Sequence, residues 1–236
     1  MNTRIVLVET SHPGNIGAVA RAIKNMGIND LALVRPKYFP HADATARASG
    51  ADDVLARASV VDTLDEALAG CTLSFAASAR QRTIRWPEVA PREAAATIAA
   101  QPADARAAVV FGPETSGLTN EHIARCQRLV FIPSSPAFPS LNLAMAVQVI
   151  AYEVRLAALS PPPAAASEAP AAKHEELENF YAHLERVLLG SGFLDPANPR
   201  HLMQRLRRLF ARAEPDQNDV NILRGILTSV WDERQR

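Results

Sequence analysis

The sequence predicts an α/β domain with a parallel sheet, followed by a linker and a small all-helical domain. Over 1–159, short apolar runs alternate with helical patterns, which is typical of buried strands covered by helices on both faces of a sheet. The segment 160–172 is rich in Pro and Ala and predicts a linker, because clustered prolines forbid a helix and remove backbone donors. Over 173–236, apolar residues recur at helical spacing only.

The strands of the first domain are predicted from short apolar runs, and the helices from apolar residues at helical spacing. The predicted strands are Ile5–Val8, Leu31–Val34, Thr72–Ala76, Ala107–Phe111 and Leu129–Ile132. The helices between and after them are Ile16–Met26, Leu64–Ala69, Pro91–Ala100, Asn120–Arg125 and Leu141–Leu159. Those of the second domain are Lys173–Leu189, Pro199–Arg212 and Gln217–Trp231. Ligands of parallel sheets bind beyond the carboxyl ends of the strands, so we searched the loops there for a site.

Composition narrows the class of protein. Lys+Arg and Asp+Glu both number 25, so the net charge neither supports nor excludes a nucleic-acid partner. Cys71 and Cys126 have no histidine at metal-type spacing and predict two buried thiols, with neither a disulfide nor a metal site. No apolar stretch has the length of a membrane span and no secretory leader precedes the first strand, so we expect a soluble, cytoplasmic protein.

The first candidate loop leads into the helix that carries Arg21. Asn15 is predicted to cap this helix, and Gly17 permits close approach of another backbone. Arg21 lies one turn beyond Gly17, where a guanidinium can hold a phosphate or stand near a reacting hydroxyl. On the spacing alone, an ordinary surface arginine on an amphipathic helix is the favoured explanation.

Two further loops carry small and polar residues. Gly112 and Gly117 follow a strand, but no Gly-Lys-Ser/Thr comes after them, which argues against a nucleoside triphosphate site and leaves a plain turn as the alternative. Ser140 is predicted to cap the next helix. Asn142 inside that helix is unusual, because Asn competes there with the backbone, and together with Ser140 it indicates a helix end that faces a ligand. A lone capping serine is the alternative explanation of this loop.

Arginines cluster in two places that suit RNA. Arg80 and Arg82 follow a predicted strand and are close to Trp86, a combination that fits phosphate and base contacts. In the second domain Arg205, Arg207 and Arg208 belong to one helix, where they are predicted to contact phosphates. Solvated surface charge explains either cluster as well.

Taken together, the loops resemble the three motifs of the SpoU branch of the SPOUT RNA methyltransferases. The matching residues are Asn15-x-Gly17-x-x-x-Arg21, Gly112-x-Glu114-x-x-Gly117-Leu118 and Ser140-Leu141-Asn142. The stretches IVLVETSH from Ile5 and LNLAMAVQVIAYE from Leu141 resemble the bacterial members of this branch that methylate the ribose of residue 32 in the tRNA anticodon loop. The resemblance covers nearly all of 1–159 and, more loosely, 173–236.

The resemblance implies an α/β fold with a deep trefoil knot near Ala107–Asn142, a homodimer, tRNA as the substrate and S-adenosylmethionine as the methyl donor. The donor is expected in the knot, held largely by backbone groups. Its expected contacts are Ala77, Ser78, Ala79, Gly112, Gly117, Ile132, Ser140 and Leu141. No metal is expected.

The resemblance also assigns roles to the polar residues. Arg21 is expected to be the leading catalytic residue, with Asn15, Glu114, Ser140 and Asn142 shaping the pocket. A guanidinium stays protonated, so Arg21 suits stabilisation of a developing alkoxide rather than removal of a proton. Pro113 departs from the Arg expected there in close relatives, which leaves the RNA contacts of this loop open.

Two alternatives to this function remain open on the sequence. One is a 2′-O-methyltransferase of the same class that acts on ribosomal RNA or on another tRNA position. The other is an RNA-binding dimer without turnover, against which the presence of Arg21, Glu114 and Asn142 argues.

Overall fold

The structure is a computed structural model that describes residues 2–78, 86–159 and 170–235. These residues form two compact units: those up to residue 159 belong to the first, and those from residue 170 onward belong to the second. The first is an α/β unit and the second is a helical unit. The predicted linker at 160–172 falls largely outside the described residues, so the domain boundaries stay a prediction.

The α/β unit contains one parallel sheet. Its strands are β1 (Thr3–Val8), β2 (Asp30–Val34), β3 (Ser59–Val61), β4 (Cys71–Ala77), β5 (Glu88–Val89), β6 (Arg106–Phe111) and β7 (Arg128–Val130). They are hydrogen-bonded in the order β3-β2-β1-β6-β4-β7-β5, and every pair is parallel. The carboxyl ends of β1, β6, β4 and β7 are therefore neighbours on one edge of the sheet.

Helices connect the strands. They are α1 (Pro13–Asn25), α2 (Ala42–Ala48), α3 (Asp52–Ala56), α4 (Leu64–Leu68), α5 (Pro91–Ala99), α6 (Asn120–Ala124) and α7 (Leu143–Leu159). The main core lies between the sheet and α1, α5 and α7, where side chains such as Ile16, Phe75 and Ile150 are fully buried. The side chains of Cys71 and Cys126 are both buried, as predicted.

The structure corrects both predicted helix starts at the carboxyl edge. Helix α1 begins at Pro13 rather than Ile16, since proline is favoured in the first turn, and Asn15 is therefore a residue of this helix and not its cap. Helix α7 begins at Leu143, and the side chain of Asn142 accepts a hydrogen bond from Ala144 N at 2.9 Å. The cap of α7 is thus Asn142 and not Ser140.

The helical unit consists of α8 (His174–Gly190), α9 (Leu202–Ala213) and α10 (Gln217–Gln235). Its small core includes Phe180 and Tyr181, and the ring of Phe180 meets that of Phe210 edge-on at 4.8 Å between centroids. Burial raises the pKa of Tyr181 to about 12, against a smaller opposing effect of the Arg207 guanidinium 4.2 Å above its ring. Within the described residues, no helix combines the length and apolar character that a bilayer crossing requires.

Candidate active site

The carboxyl edge of the sheet bears a cavity of about 350 Å³. The end of β4, the loop after β6 and the loop between β7 and α7 supply its walls. Most of the residues predicted to hold a methyl donor line it: Ala77, Ser78, Gly112, Gly117, Ile132, Ser140 and Leu141. Ala79, the remaining one, lies outside the described residues. The fold therefore brings together segments that are far apart in the sequence.

The loop after β6, which lines this cavity, forms a tight turn. Gly117 N donates to the carbonyl of Pro113 at 2.8 Å, and Gly117 has φ +67°, a conformation that glycine adopts without strain. A Cβ on Gly112 would lie 2.3 Å from Leu118 N, so no side chain fits there. Pro113 is compatible with this turn because the turn uses its carbonyl and needs no N–H from it.

Glu114 is the centre of a hydrogen-bond network beside the cavity. Its Oε2 accepts from the backbone N and the Oγ of Ser11, at 3.1 and 3.0 Å. Its Oε1 accepts from Asn15 Nδ2 at 2.9 Å and from His12 N at 3.3 Å. One carboxylate thus ties the loop after β6 to the loop between β1 and α1.

These donors determine the charge state of Glu114. Burial by itself raises the pKa of the carboxyl, but the hydrogen bonds from Asn15 and Ser11 together outweigh it and hold the pKa below its ordinary value of 4.5. The group is therefore ionised near neutral pH. As a carboxylate whose lone pairs are occupied by donors, it is an organiser of the site rather than a proton acceptor.

Asn142 joins the same network from the third loop. Its Nδ2 donates to Asn15 Oδ1 at 3.2 Å, while its Oδ1 caps α7. The three residues that the motifs contribute, Asn15, Glu114 and Asn142, therefore form one chain of contacts. Ser140 lines the cavity without being the helix cap, so among its two predicted roles only the position at the cavity is retained.

Arg21 stands apart from this network. It is exposed on α1 and does not line the cavity, and its side chain forms no hydrogen bond or ion pair with another described residue. Helix α1, which carries Arg21, packs against α7. The single chain does not bring Arg21 to the residues expected to act with it.

The predicted RNA contacts have different environments. Arg80 and Arg82 lie outside the described residues. Arg205 is exposed on α9 and Arg208 is half-buried. Arg207 was expected to contact phosphate, but its guanidinium donates to Glu178 Oε2 at 2.8 Å, stacks on Tyr181, and is 14% exposed. Its geometry is that of a packing residue of the helical unit, and its contact with phosphate stays a prediction.

Sequence reasoning missed Ser11 and the backbone of His12 as parts of the site. The available signal was the position of Ser11 just past the end of β1, where parallel sheets place ligand-binding groups. No motif named Ser11, because its contribution depends on Glu114, which is far away in the chain. Within the described residues, no group of three or more side chains of the metal-ligating types is found.

Comparisons with known proteins bear on this site. Residues 2–152 match the SpoU rRNA Methylase family, and residues 175–236 match the C-terminal domain of tRNA methyltransferase TrmJ. The tRNA (cytidine/uridine/adenosine-2′-O-)-methyltransferase TrmJ of Pseudomonas aeruginosa is 55% identical, over 96% of this chain and 93% of its own. The tRNA (cytidine/uridine-2′-O-)-methyltransferase TrmJ of Cronobacter sakazakii is 51% identical, over 99% and 97%.

A solved structure agrees with these relatives. The crystal structure of TrmJ from Z. mobilis ZM4 superposes with a TM-score of 0.86 at 35% identity, covering 97% of this chain and 98% of that one. The similarity thus spans both units and all three loops of the candidate site. The chain belongs to the SpoU methylase family and, within it, to the group of TrmJ tRNA methyltransferases.

Proposed function

We propose that this chain transfers a methyl group from S-adenosylmethionine to the ribose 2′-hydroxyl of tRNA, at the cytidine or uridine of position 32 in the anticodon loop. The observation that carries the proposal is the Asn15–Glu114–Asn142 network at the rim of the cavity, formed by the three motifs of the family. The names of the TrmJ relatives support tRNA as the substrate and the ribose 2′-oxygen as the atom that is methylated. Position 32 rests on the sequence resemblance alone.

The cavity fits the methyl donor by size and by chemistry. Its volume of about 350 Å³ lies in the range of small-molecule sites, and its walls include the apolar side chains Leu118, Ile132 and Leu141. Among its described lining residues there is a carboxylate but no lysine, arginine or histidine. Such a lining suits an adenosyl group and a cationic sulfonium better than a nucleotide phosphate. The bound donor supplies an electrophilic methyl group.

The protein's own contribution is positioning and electrostatics. Holding a hydroxyl in line with an activated methyl group can lower the barrier by several kcal/mol, up to about 7–11 in favourable cases. Glu114 fixes the loop that contains Ser11, and Asn142 orients Asn15. In this proposal the amides face the ribose while Arg21 stabilises the alkoxide that develops as the proton leaves.

A homodimer completes the site in this proposal. Helix α7 is apolar on both faces: Val147, Ile150 and Val154 are buried, while the opposite side is exposed. An exposed apolar face of a helix is normally covered by a partner, and a second copy of α7 is a matching cover. The apolar exposed side chains are Met145, Val149, Tyr152, Leu156 and Leu159. Because α1 packs on α7, this pairing also brings Arg21 close to the subunit interface.

The knot and the cellular compartment are parts of the same proposal. The loop after β6 and the loop before α7 both wall one cavity, which supports the trefoil knot near Ala107–Asn142 that the resemblance implies. Because tRNA is the substrate, we infer that the enzyme works in the cytoplasm.

Methyl transfer to synthetic tRNAs tests the proposed function. The full chain is incubated with methyl-labelled S-adenosylmethionine and tRNA transcripts, and the modified residue is mapped. A transcript with a single 2′-deoxynucleotide at position 32 should accept no label, whereas the same change at position 34 should leave transfer intact. Transcripts with C, U or A at position 32 test base tolerance.

Other outcomes identify the alternatives. Transfer that survives the deoxy change at position 32, or transfer to ribosomal RNA alone, would point to another target in the same class. Incorporation into no RNA would indicate an RNA-binding protein without turnover.

A further inference from the structure

The loop between α8 and α9 holds an aromatic ring in solvent. Phe193 is 71% exposed, although the adjacent Leu194 is buried. The backbone on both sides is tied down: Leu194 N donates to the carbonyl of Leu188 at 3.0 Å, and Phe193 N donates to Ser191 Oγ at 3.4 Å. These hydrogen bonds hold the turn in place, and the turn leaves the large apolar ring of Phe193 exposed to water, which is unfavourable.

Phe193 forms one wall of a cavity of about 350 Å³ within the helical unit. Leu194 and Leu202 add apolar surface, and Arg200 and Arg205 add two guanidinium groups. Both arginines are exposed, and neither guanidinium makes a hydrogen bond or ion pair with another described residue. Asp195 is the acidic residue of the lining, and its Oδ1 accepts from Ala197 N at 2.9 Å. The lining therefore carries a net positive charge.

The backbone entering α9 supports an anion at this cavity. Arg200 and His201 have φ +46° and +56°, a left-handed conformation that side-chain-bearing residues rarely adopt in succession. This turn starts α9 at Leu202, whose N–H donates to the carbonyl of Pro199 at 2.8 Å, and His201 provides no side-chain cap for the N–H groups that follow. Uncapped N–H groups and the positive end of the helix dipole both favour a negatively charged group.

We propose that this cavity binds one unpaired nucleotide of the tRNA substrate. Its base stacks on Phe193, and its phosphate contacts Arg200 and Arg205. Stacking requires a base that is free of its neighbours, which loops of RNA provide and duplexes do not. The inference rests on the proposed function, since it takes RNA to be the substrate, and it adds a contact of the helical unit that the motifs do not specify.

Substitutions of Phe193 test the stacking. In the full-length protein, Phe193→Ala should weaken tRNA binding about 10-fold, the effect of losing one stacked base. Phe193→Trp should keep the affinity and add a fluorescence signal quenched by tRNA, beyond any change from Trp86 and Trp231 in the unaltered protein. Leu209→Ala, an exposed apolar residue of α9 outside the cavity, is the matched control and should bind normally.

Substitutions of the arginines test the phosphate contact. Arg200→Gln with Arg205→Gln should reduce the slope of log affinity against log salt by about 1, because the contact releases counterions. Arg212→Gln, an exposed arginine of the same helix that does not line the cavity, should leave the slope unchanged.

The outcomes separate this inference from the proposed function. Unaltered protein that methylates tRNA, combined with normal affinity of the Phe193 and arginine variants, would overturn the nucleotide site alone. Unaltered protein that neither binds nor methylates tRNA would overturn both. A change of Phe193→Ala in sedimentation, with tRNA affinity intact, would identify the cavity as a protein contact and overturn it too.

Discussion

Asn142 has two functions that a single amide supports at once. The oxygen caps α7 by accepting from Ala144 N, and the nitrogen orients Asn15. A substitution of Asn142 that removes both hydrogen bonds would not show whether activity was lost through the helix cap or through the orientation of Asn15. Substitutions that remove one atom's role and keep the other resolve the question.

Asn142→Asp and Asn142→Ala separate capping from positioning. Aspartate keeps the cap and suits a helix N-terminus, but its second oxygen would face Asn15 Oδ1, acceptor to acceptor. We expect Asn142→Asp to retain stability and lose about 10-fold in methyl-transfer rate, since about 1.4 kcal/mol of positioning is a factor of ten. Asn142→Ala should lose rate and, in addition, about 1 kcal/mol of unfolding free energy. Equal rates for Asn142→Asp and the unaltered enzyme would restrict Asn142 to capping.

Glu114 links the site to stability and to pH. Because its folded pKa is lowered, its contribution is fully present above the ordinary value of 4.5 and is lost as pH falls through the folded value. Glu114→Gln should therefore lower the unfolding free energy at neutral pH by about 1 kcal/mol, a figure reduced for partial solvent exposure. Urea unfolding in acid should show this difference shrinking, and a constant difference would contradict it. Glu88→Gln, at an exposed glutamate, is the control.

At the scale of elements, the packing of α1 against α2 explains a motif glycine. A Cβ on Gly17 would stand 2.0 Å from the carbonyl oxygen of Ala44 and 2.9 Å from Ala48 N, both of them backbone atoms that cannot rotate away. The first motif therefore encodes a helix crossing as well as a site. Gly14, three residues earlier, has no such restriction, since a Cβ there would meet only Arg47 Cγ at 3.5 Å.

The pair Gly17→Ala and Gly14→Ala tests this crossing. We expect Gly17→Ala to destabilise the α/β unit by about 3 kcal/mol through overpacking against backbone. Gly14→Ala should be tolerated, because its added methyl makes an ordinary van der Waals contact. Thermal unfolding of both variants measures the difference, and similar melting temperatures would mean that α2 shifts to accommodate the methyl.

The sequence predicted most of the elements that contain large apolar residues, either in continuous runs or at helical spacing. The central strands β1, β2, β4, β6 and β7 were all predicted, because burial on both faces leaves continuous apolar runs. The edge strands β3 and β5 were missed, since they are short and partly exposed. Helices α2 and α3 were missed as well; α2 buries only Ala44 and Ala48, and alanine gives no clear periodic signal.

The sequence predicted which residues belong to the hydrogen-bond network of the candidate site, but not the hydrogen bonds between them. Asn15, Glu114 and Asn142 were selected by resemblance, but their mutual hydrogen bonds cross 99 and 127 positions of the chain. The environment of Arg207 was likewise not predictable, because a basic helix pattern does not reveal that Glu178 and Tyr181 contact this guanidinium. Partners distant in sequence decide whether a charge is free.

For the whole molecule, a net charge of zero means that RNA affinity must come from local clusters. Arg200 and Arg205 form such a cluster in the helical unit, and Arg21 is an unpaired cation on the α/β unit, within the part of the chain that the structure describes. A protein built this way needs an arrangement that brings separate cations to one RNA, and pairing of two copies through α7 is a direct way to do so.

Met145→Glu with Val149→Glu tests that pairing. Both side chains are exposed on the apolar side of α7, so the change should not disturb the core of one chain, but it buries charge in the proposed interface. We expect the double substitution to raise the dissociation constant of the dimer at least about 1,000-fold, equivalent to about 4 kcal/mol, and to abolish methyl transfer. Val60→Glu, an exposed valine on β3, is the control and should leave both unchanged. Light scattering gives the mass of each variant. A monomeric unaltered protein, or a double variant that remains dimeric and active, would refute pairing through α7. A double variant that is monomeric and binds S-adenosylmethionine but does not methylate tRNA would show that only the dimer completes the site, as expected if Arg21 acts at the subunit interface.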